Sequence, residues 1–179
     1  MERLLSPKPE IRRTTFDDIP SMRAMHAQSW RDTYPNESAG VSKEWIEERT
    51  AAWLTPERLE ESKTFMKDAL TSPFHFHHVA VAGDQVVGMI HASSSATRHR
   101  LEALYIDKKY QGTGLAQELM AEFLKWSVAE KPIILELVEY NARAQAFYEK
   151  FGFEVEEASE HLFVDKIPVV NMIRKGDKQ

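Results

Sequence analysis

Residues Leu101 to Val128, LEALYIDKKYQGTGLAQELMAEFLKWSV, constrain the fold more than any other stretch of the chain. Leu101, Ala103 and Tyr105 alternate with Glu102, Leu104 and Ile106, the period of a short strand with apolar positions on both faces. Asp107 to Gln111 is a polar link. From Gly114 onward Leu115, Leu119, Met120, Phe123 and Leu124 recur at helical spacing, so a helix lays one face on a core. At the joint, Gln111-Gly112-Thr113-Gly114-Leu115-Ala116, glycines let the backbone turn sharply while the first N–H groups of the helix stay uncovered. A strand that feeds an exposed helix N-terminus through glycines is a seat for an anion, most often phosphate.

The rest of the chain narrows which anion. A length of 179 residues with 42% hydrophobic content suits one domain, 1–179, with a substantial core. The net charge of −5 offers no basic surface to nucleic acid, yet a helix N-terminus supplies local positive potential whatever the global sign. There is no cysteine, which excludes disulfides, thiolate metal sites and an acyl-cysteine intermediate. The N-terminal MERLLSPKPE has no long apolar run, and no later segment approaches the length of a membrane span. The expectation is a cytoplasmic protein with no membrane partner.

Taken in order, Glu10 to Thr14 reads as an edge strand. Thr15 or Asp17 caps a helix reaching Ser29 or Tyr34, with Ile19, Met22, Met25 and His26 on one stripe. A loop from Pro35 to Gly40 leads to helices at Ser42–Trp53 and Pro56–Leu70, whose polar faces are acidic (Glu44, Glu47, Glu48, then Glu57, Glu60, Glu61). His75–Ala82 and Gln85–Ser93 form a hairpin through Gly83-Asp84, with glycine first as a type II′ turn requires. Arg98–Ile106 is a third antiparallel strand. Ile133–Val138 is too apolar for a wet face and follows the helix as a parallel partner. Asn141–Lys150 is a short helix ending at Gly152, and Phe153–Ala158 with Val169–Arg174 closes the chain as a hairpin. The fold class is α/β (α+β): a mixed, mostly antiparallel sheet with one β-α-β unit and flanking helices. The terminal hairpin offers an edge for a homodimer.

Three patterns compete for the glycine turn. A dinucleotide fingerprint fails at its third glycine, where Gln117 stands, and a nucleotide P-loop fails for want of Gly-Lys-Ser/Thr. The third, Q-x-x-G-x-A after a strand, resembles the acetyl-CoA site of the GNAT superfamily of N-acetyltransferases. The likeness extends to Leu104-Tyr105-Ile106 before the turn. It extends also to N-A-R-A-Q-A-F-Y-E-K-F-G-F, residues 141–153, which is similar to that superfamily's second motif.

The resemblance implies transfer of an acetyl group from acetyl-CoA to a primary amine, with no metal. It implies that Gln111, Gly112, Thr113, Gly114, Leu115 and Ala116 hold the pyrophosphate through their amides. The pantetheine arm would lie between the strands ending at Ile106 and Val138, against Leu104, Tyr105 and Ile106. Members of the superfamily often carry a bulge in the first of these strands. Asn141 and Tyr148 are seven residues apart, about two helical turns, so they share an edge with the small Ala144 between them. By resemblance Asn141 contacts the cofactor and Tyr148 protonates the departing thiolate; read alone, Asn141 is equally an N-cap and Tyr148 a core aromatic. A phenol of pKa ~10 is protonated at neutral pH and can donate to a thiolate whose acid titrates near ~8.5.

The amine must first lose a proton. That costs roughly 1.4 kcal/mol at neutral pH for an α-amine and about 5 for a polyamine nitrogen. Glu102 is the candidate base, equally readable as a solvated strand residue, and His91 and His99 follow it. Trp30 and Tyr34 are candidate walls of an amine pocket between the first helices and the meander, or else core. The acidic helix faces would draw in a small amine or polyamine, or stay merely solvated. The run His75, Phe76, His77, His78 invites a metal reading: alternating residues on a strand share a face, but no third ligand is evident there, and an exposed or partly packed strand is the simpler account.

Overall fold

The structure is a computed structural model that describes residues 8–177; the N-terminal leader reading falls in part on residues 1–7, outside them. Strand β1 is Glu10–Arg13, β2 His75–Ala82, β3 Gln85–Ser94, β4 His99–Ile106, β5 Ile133–Val138, β6 Glu154–Val155, β7 His161–Phe163 and β8 Ile167–Arg174. The helices are α1 Ile19–Thr33, α2 Lys43–Ala52, α3 Pro56–Thr71, α4 Leu115–Trp126 and α5 Ala142–Glu149. One sheet runs β1-β2-β3-β4-β5-β8-β6, with β7 also on β8. Among the described residues only β4 and β5 pair in parallel.

The mixed sheet and the helix positions expected from periodicity are present. α4 forms because Leu115, Leu119, Met120 and Phe123 repeat on one face; all four are buried against Ile90, Leu101 and Leu135. Fully burying such side chains stabilises by about 1.5–3 kcal/mol each. α5 joins the same core through Tyr148, with Phe153 beyond it. On the opposite face α1 packs Met22 and Met25 against Val79, Val86 and Met89. The hydroxyls of Ser42 and Thr55 accept from the amides of Trp45 and Arg58, starting α2 and α3. Ahead of α1 the chain makes a short 3-10 turn, Phe16–Asp18. There the Asp18 carboxylate accepts from the Thr15 amide at 2.7 Å and from both terminal nitrogens of Arg12.

Two features depart from the expected pattern. Leu101, Ala103 and Tyr105 do not share a face. Leu101 sits with Leu104 and Ile106 in the α4 core, whereas Ala103 and Tyr105 face α1. The cause is a β-bulge: His91 pairs with Ala103 and Ala92 with Leu101, leaving Glu102 as the extra residue. One unpaired residue inverts the alternation beyond it.

The C-terminal hairpin is also more elaborate than expected. β8 is covered on its outer side by both β6 and β7, and the β7–β8 turn carries Val164 and Asp165 at positive φ. β8 is therefore no open edge for a second copy; exposed Leu162 and Phe163 stand on β7 instead.

Candidate active site

β4 and β5 diverge. Their parallel pairing covers His99–Leu101 against Ile133–Leu135 and stops at the bulge. Beyond it the β5-facing backbone of Glu102–Ile106 has no strand partner among the described residues, because the extra residue bends β4 away from its neighbour. The gap opens into a cleft of about 760 Å³ bounded by the glycine turn, β4, β5 and α5. Its length and walls suit a slender chain ending in phosphates.

At one end lies the glycine turn. Gly112 and Gly114 hold φ of 81° and 94°, left-handed values that favour glycine, and a Cβ on either would meet nothing within 4 Å. Gly114 starts α4 with no side-chain cap, and the first helical bond runs from the Glu118 amide to the Gly114 carbonyl. The amides of the first turn are thus left to a ligand. Gln111, Gly112 and Ala116 line the cleft. Thr113 is exposed, its hydroxyl donating to the Tyr110 carbonyl at 2.7 Å, and the Leu115 side chain is buried, so both reach a ligand only through backbone. Lys108, Arg143 and Lys150 join this end, and Arg143 donates to the Gln111 side-chain oxygen, tying α5 to the turn. Sequence reasoning missed these three cations, although Arg143 and Lys150 both lie within the second motif.

α5 projects Asn141, Ala144 and Tyr148 into the cleft. The two readings of Asn141 prove compatible. Its oxygen accepts from the Ala144 amide at 3.1 Å, capping α5, while its side-chain NH₂ has no protein partner among the described residues. The Tyr148 ring packs between Phe147 and Phe153, at 5.3 and 5.7 Å between centroids, and its hydroxyl likewise makes no protein hydrogen bond. Burial raises its pKa well above the ordinary phenol value, so it stays protonated across the working range.

Leu104 and Ile106 line the cleft, and the Ile106 carbonyl accepts from the Gln111 side chain at 3.3 Å. Tyr105 points to the α1 side, where its hydroxyl lies 3.0 Å from that of Tyr34 and accepts from the Trp30 indole at 3.1 Å. Trp30 and Tyr34 are therefore buried at the far end of this cleft, packed with Val41, Ile46 and Val138.

The pocket between the first helices and the meander exists without them. A second cavity of about 850 Å³ lies under α1, α2 and α3, and its aromatic walls are Trp45, Trp53 and Phe65 with His26. Glu102 and Ala103 line both cavities, so the two spaces adjoin at the bulge. Both Glu102 oxygens are engaged, one by the Ser93 hydroxyl at 2.8 Å and the other by Arg100 at 2.9 Å. Arg100 also reaches Glu136 on β5 at 2.9 Å, bridging the mouth of the gap. His99 lines neither cavity; its Nε2 accepts from the Val128 amide at 2.9 Å, a structural bond.

His26, His77 and His91 wall the second cavity. Burial, reinforced by Arg23, lowers His26 to about 3. Burial and the neighbouring histidines lower His77 to about 3. Burial lowers His91 to about 4 despite nearby Glu102. Each is neutral at physiological pH. Unfolding restores a value near ~6.5, so the unfolded chain binds protons that the folded one refuses. Their stability is whole above about pH 6.5 and is lost as pH falls toward about 4. Thermal unfolding should show Tm falling across that window, and His77→Gln should lessen the fall. A Tm flat from about pH 7 to 4 would contradict this burial. Among the described residues no cluster of three or more His, Asp or Glu could hold a metal. No helix among them is long and apolar enough to cross a membrane.

The sequence matches the profile of the acetyltransferase (GNAT) family over residues 23–153. It is 26% identical to the spermidine N(1)-acetyltransferase of Thermoplasma acidophilum over 163 residues, 87% of this chain and 94% of that protein. It is 28% identical over 149 residues to a probable N-acetyltransferase of Mycobacterium tuberculosis, 78% of this chain and 76% of the relative. The fold is similar to that of the PaiA N-acetyltransferase from Thermoplasma acidophilum in complex with coenzyme A. The TM-score is 0.72 at 24% identity, over 93% of this chain and 98% of that one. With its parted strands, its glycine-turned helix and a family match across both motifs, this chain belongs to the GNAT family and is an N-acetyltransferase.

Proposed function

We propose that the protein, as one domain over 1–179, transfers the acetyl group of acetyl-CoA to the primary amine of a small molecule by direct attack within a ternary complex. The observation that carries this reading is the strand gap, which joins the bare amides of α4 to the unpartnered Tyr148 hydroxyl in one cleft. Residues 111–116 and the cations Lys108, Arg143 and Lys150 would hold the phosphates, and the free edge of β4 would pair with the amide groups of the arm.

In the reaction the amine nitrogen forms a bond to the thioester carbonyl carbon and the carbon–sulfur bond breaks. Tyr148 donates a hydrogen bond to the departing sulfur. Since burial makes the phenol a weaker acid, its part is to stabilise developing negative charge, and the net proton comes from the amine. Glu102, held by Arg100 where the cavities adjoin, is the base, acting by relay through water. With no cysteine in the chain, direct transfer needs no acyl carrier.

The spermidine relative supports a small amine acceptor. A second reading, a non-catalytic acetyl-CoA sensor, is favoured only by the engagement of both Glu102 oxygens.

The deciding experiment incubates acetyl-CoA with a panel of polyamines, amino acids, aminoglycosides and peptides and follows free-thiol release. Turnover on at least one small amine is expected, slowed by about 10- to 100-fold in Glu102→Gln. Coenzyme A binding with no acetylation across the panel would favour the sensor. An undiminished rate in Glu102→Gln would remove the assigned base.

A further inference from the structure

The cavity under α1–α3 is lined by three arginines and three glutamates, yet two of the arginines pair with none of those carboxylates. Three arginines line it: Arg23 from α1, Arg49 from α2 and Arg58 from α3. Arg58 pairs with Glu61 at 2.6 Å, and Glu102 is engaged by Arg100 at 2.9 Å. Arg23 and Arg49 form no ion pair among the described residues, and the Nε of each is buried without a hydrogen-bond partner. Each guanidinium instead lies over an indole, Arg23 over Trp53 at 5.3 Å and Arg49 over Trp45 at 5.4 Å. Lys166 approaches the same Trp45 ring at 5.3 Å. Glu48, the remaining carboxylate of the wall, is exposed and pairs with neither arginine.

A buried guanidinium Nε–H without an acceptor is costly, and the Nε of both arginines is in that position. The strain registers on Arg23, whose pKa is lowered by burial and then by the charge of Arg58. The histidines beside it carry no compensating charge, and no proton leaves an arginine at physiological pH to relieve it. What remains is an anion from outside. Two forks held in place by indoles match a planar carboxylate, which an arginine grips with two parallel hydrogen bonds. A polyamine's second ammonium would find only exposed Glu48 unpaired in this lining, beside two unpaired guanidiniums.

We propose that the acceptor is an amine that also carries a carboxylate, with Arg23 and Arg49 receiving the carboxylate while the amine lies toward Glu102 at the bulge. This rests on the N-acetyltransferase reading above and narrows its substrate class. The acidic balance of the whole chain suits small amines or polyamines; of the acidic helix faces, Glu44, Glu47, Glu57 and Glu60 lie outside the cavity lining, whereas Glu48 and Glu61 lie within it beside the three arginines. Local charge, within a Debye length of about 8–10 Å, outweighs the global sum.

The test compares each amino acid with the amine that decarboxylation would leave: ornithine with putrescine, lysine with cadaverine, phenylalanine with phenethylamine. The carboxylate-bearing member of a pair should show a kcat/KM about 10- to 100-fold higher, expressed mainly in KM. Arg23→Met and Arg49→Met should each erase most of that preference, and Arg23→Lys and Arg49→Lys should keep part of it. The lysine variants decide if the methionine variants fail to fold. Equal or better use of the decarboxylated amines, or a preference indifferent to the substitutions, overturns the proposal. So does the absence of turnover on every pair. Titration with coenzyme A separates the two failures: binding with the wrong acceptor preference sinks this inference alone, whereas loss of binding together with turnover sinks the reading beneath it.

Discussion

Tyr148→Phe is expected to lower kcat by about 100-fold or more while leaving the affinity for coenzyme A nearly unchanged. The hydroxyl makes no protein hydrogen bond, so its removal orphans no buried group. The ring stays, and with it the packing against Phe147 and Phe153. Stability should therefore move little, within roughly 0.5–1 kcal/mol. What disappears is the hydroxyl that the proposed reaction sets against the departing sulfur. A thiolate expelled into a buried site without a donor is stabilised by neither water nor protein, and the barrier rises by the worth of a charge-assisted hydrogen bond, about 3 kcal/mol. Steady-state kinetics beside calorimetric titration with coenzyme A checks both halves. A variant that turns over at the wild-type rate would strip Tyr148 of its role; one that loses affinity and rate together would make it a binding residue.

The second large effect is expected at Gly114. Gly114→Val should cut coenzyme A affinity by at least about 100-fold, the loss of one or two hydrogen bonds to a charged group. Two causes act together. The φ of 94° is a conformation that a β-branched residue resists, so the turn is pushed out of shape at about 1–3 kcal/mol. The new side chain would also stand at the start of α4, over the amides that the phosphates need. Because a Cβ there meets nothing within 4 Å, the substitution intrudes on no core, and circular dichroism should report a folded protein. Calorimetry showing retained binding would refute the phosphate seat. These variants probe opposite ends of one cleft: Gly114→Val acts on binding, Tyr148→Phe on the chemical step.

Much of this architecture was readable from the residue string. The two-residue hairpin at Gly83-Asp84, the helix starts at Ser42 and Pro56, the glycine turn and the Asn141–Tyr148 edge all depend on neighbours within a few positions. The short strand β7 was missed because its three residues, His161 to Phe163, are all exposed and carry no period. Trp30 and Tyr34 were seen as a pair but assigned to the amine pocket. Their spacing places them on one helical stripe without saying which cavity that stripe meets, and the Tyr105 hydroxyl draws them to the strand gap. Arg23 and Arg49 drew no attention, since a lone arginine on a helix usually faces water.

By itself the sequence determined the local grammar: where helices begin, where glycine must turn the chain, and which two motifs lie at the separation an acetyltransferase of this family requires. Those signals are short-ranged, set by backbone sterics and by periods of 2.0 and 3.6 residues. The tertiary structure decided what counting residues cannot. The extra residue at Glu102 inverts the faces of β4, ends its pairing with β5 and so opens the cleft, while α1 and α2 bring two unpaired guanidiniums to one wall. Both outcomes depend on partners far away in the chain, where the energy of packing and charge between elements selects among registers that local preference leaves equal.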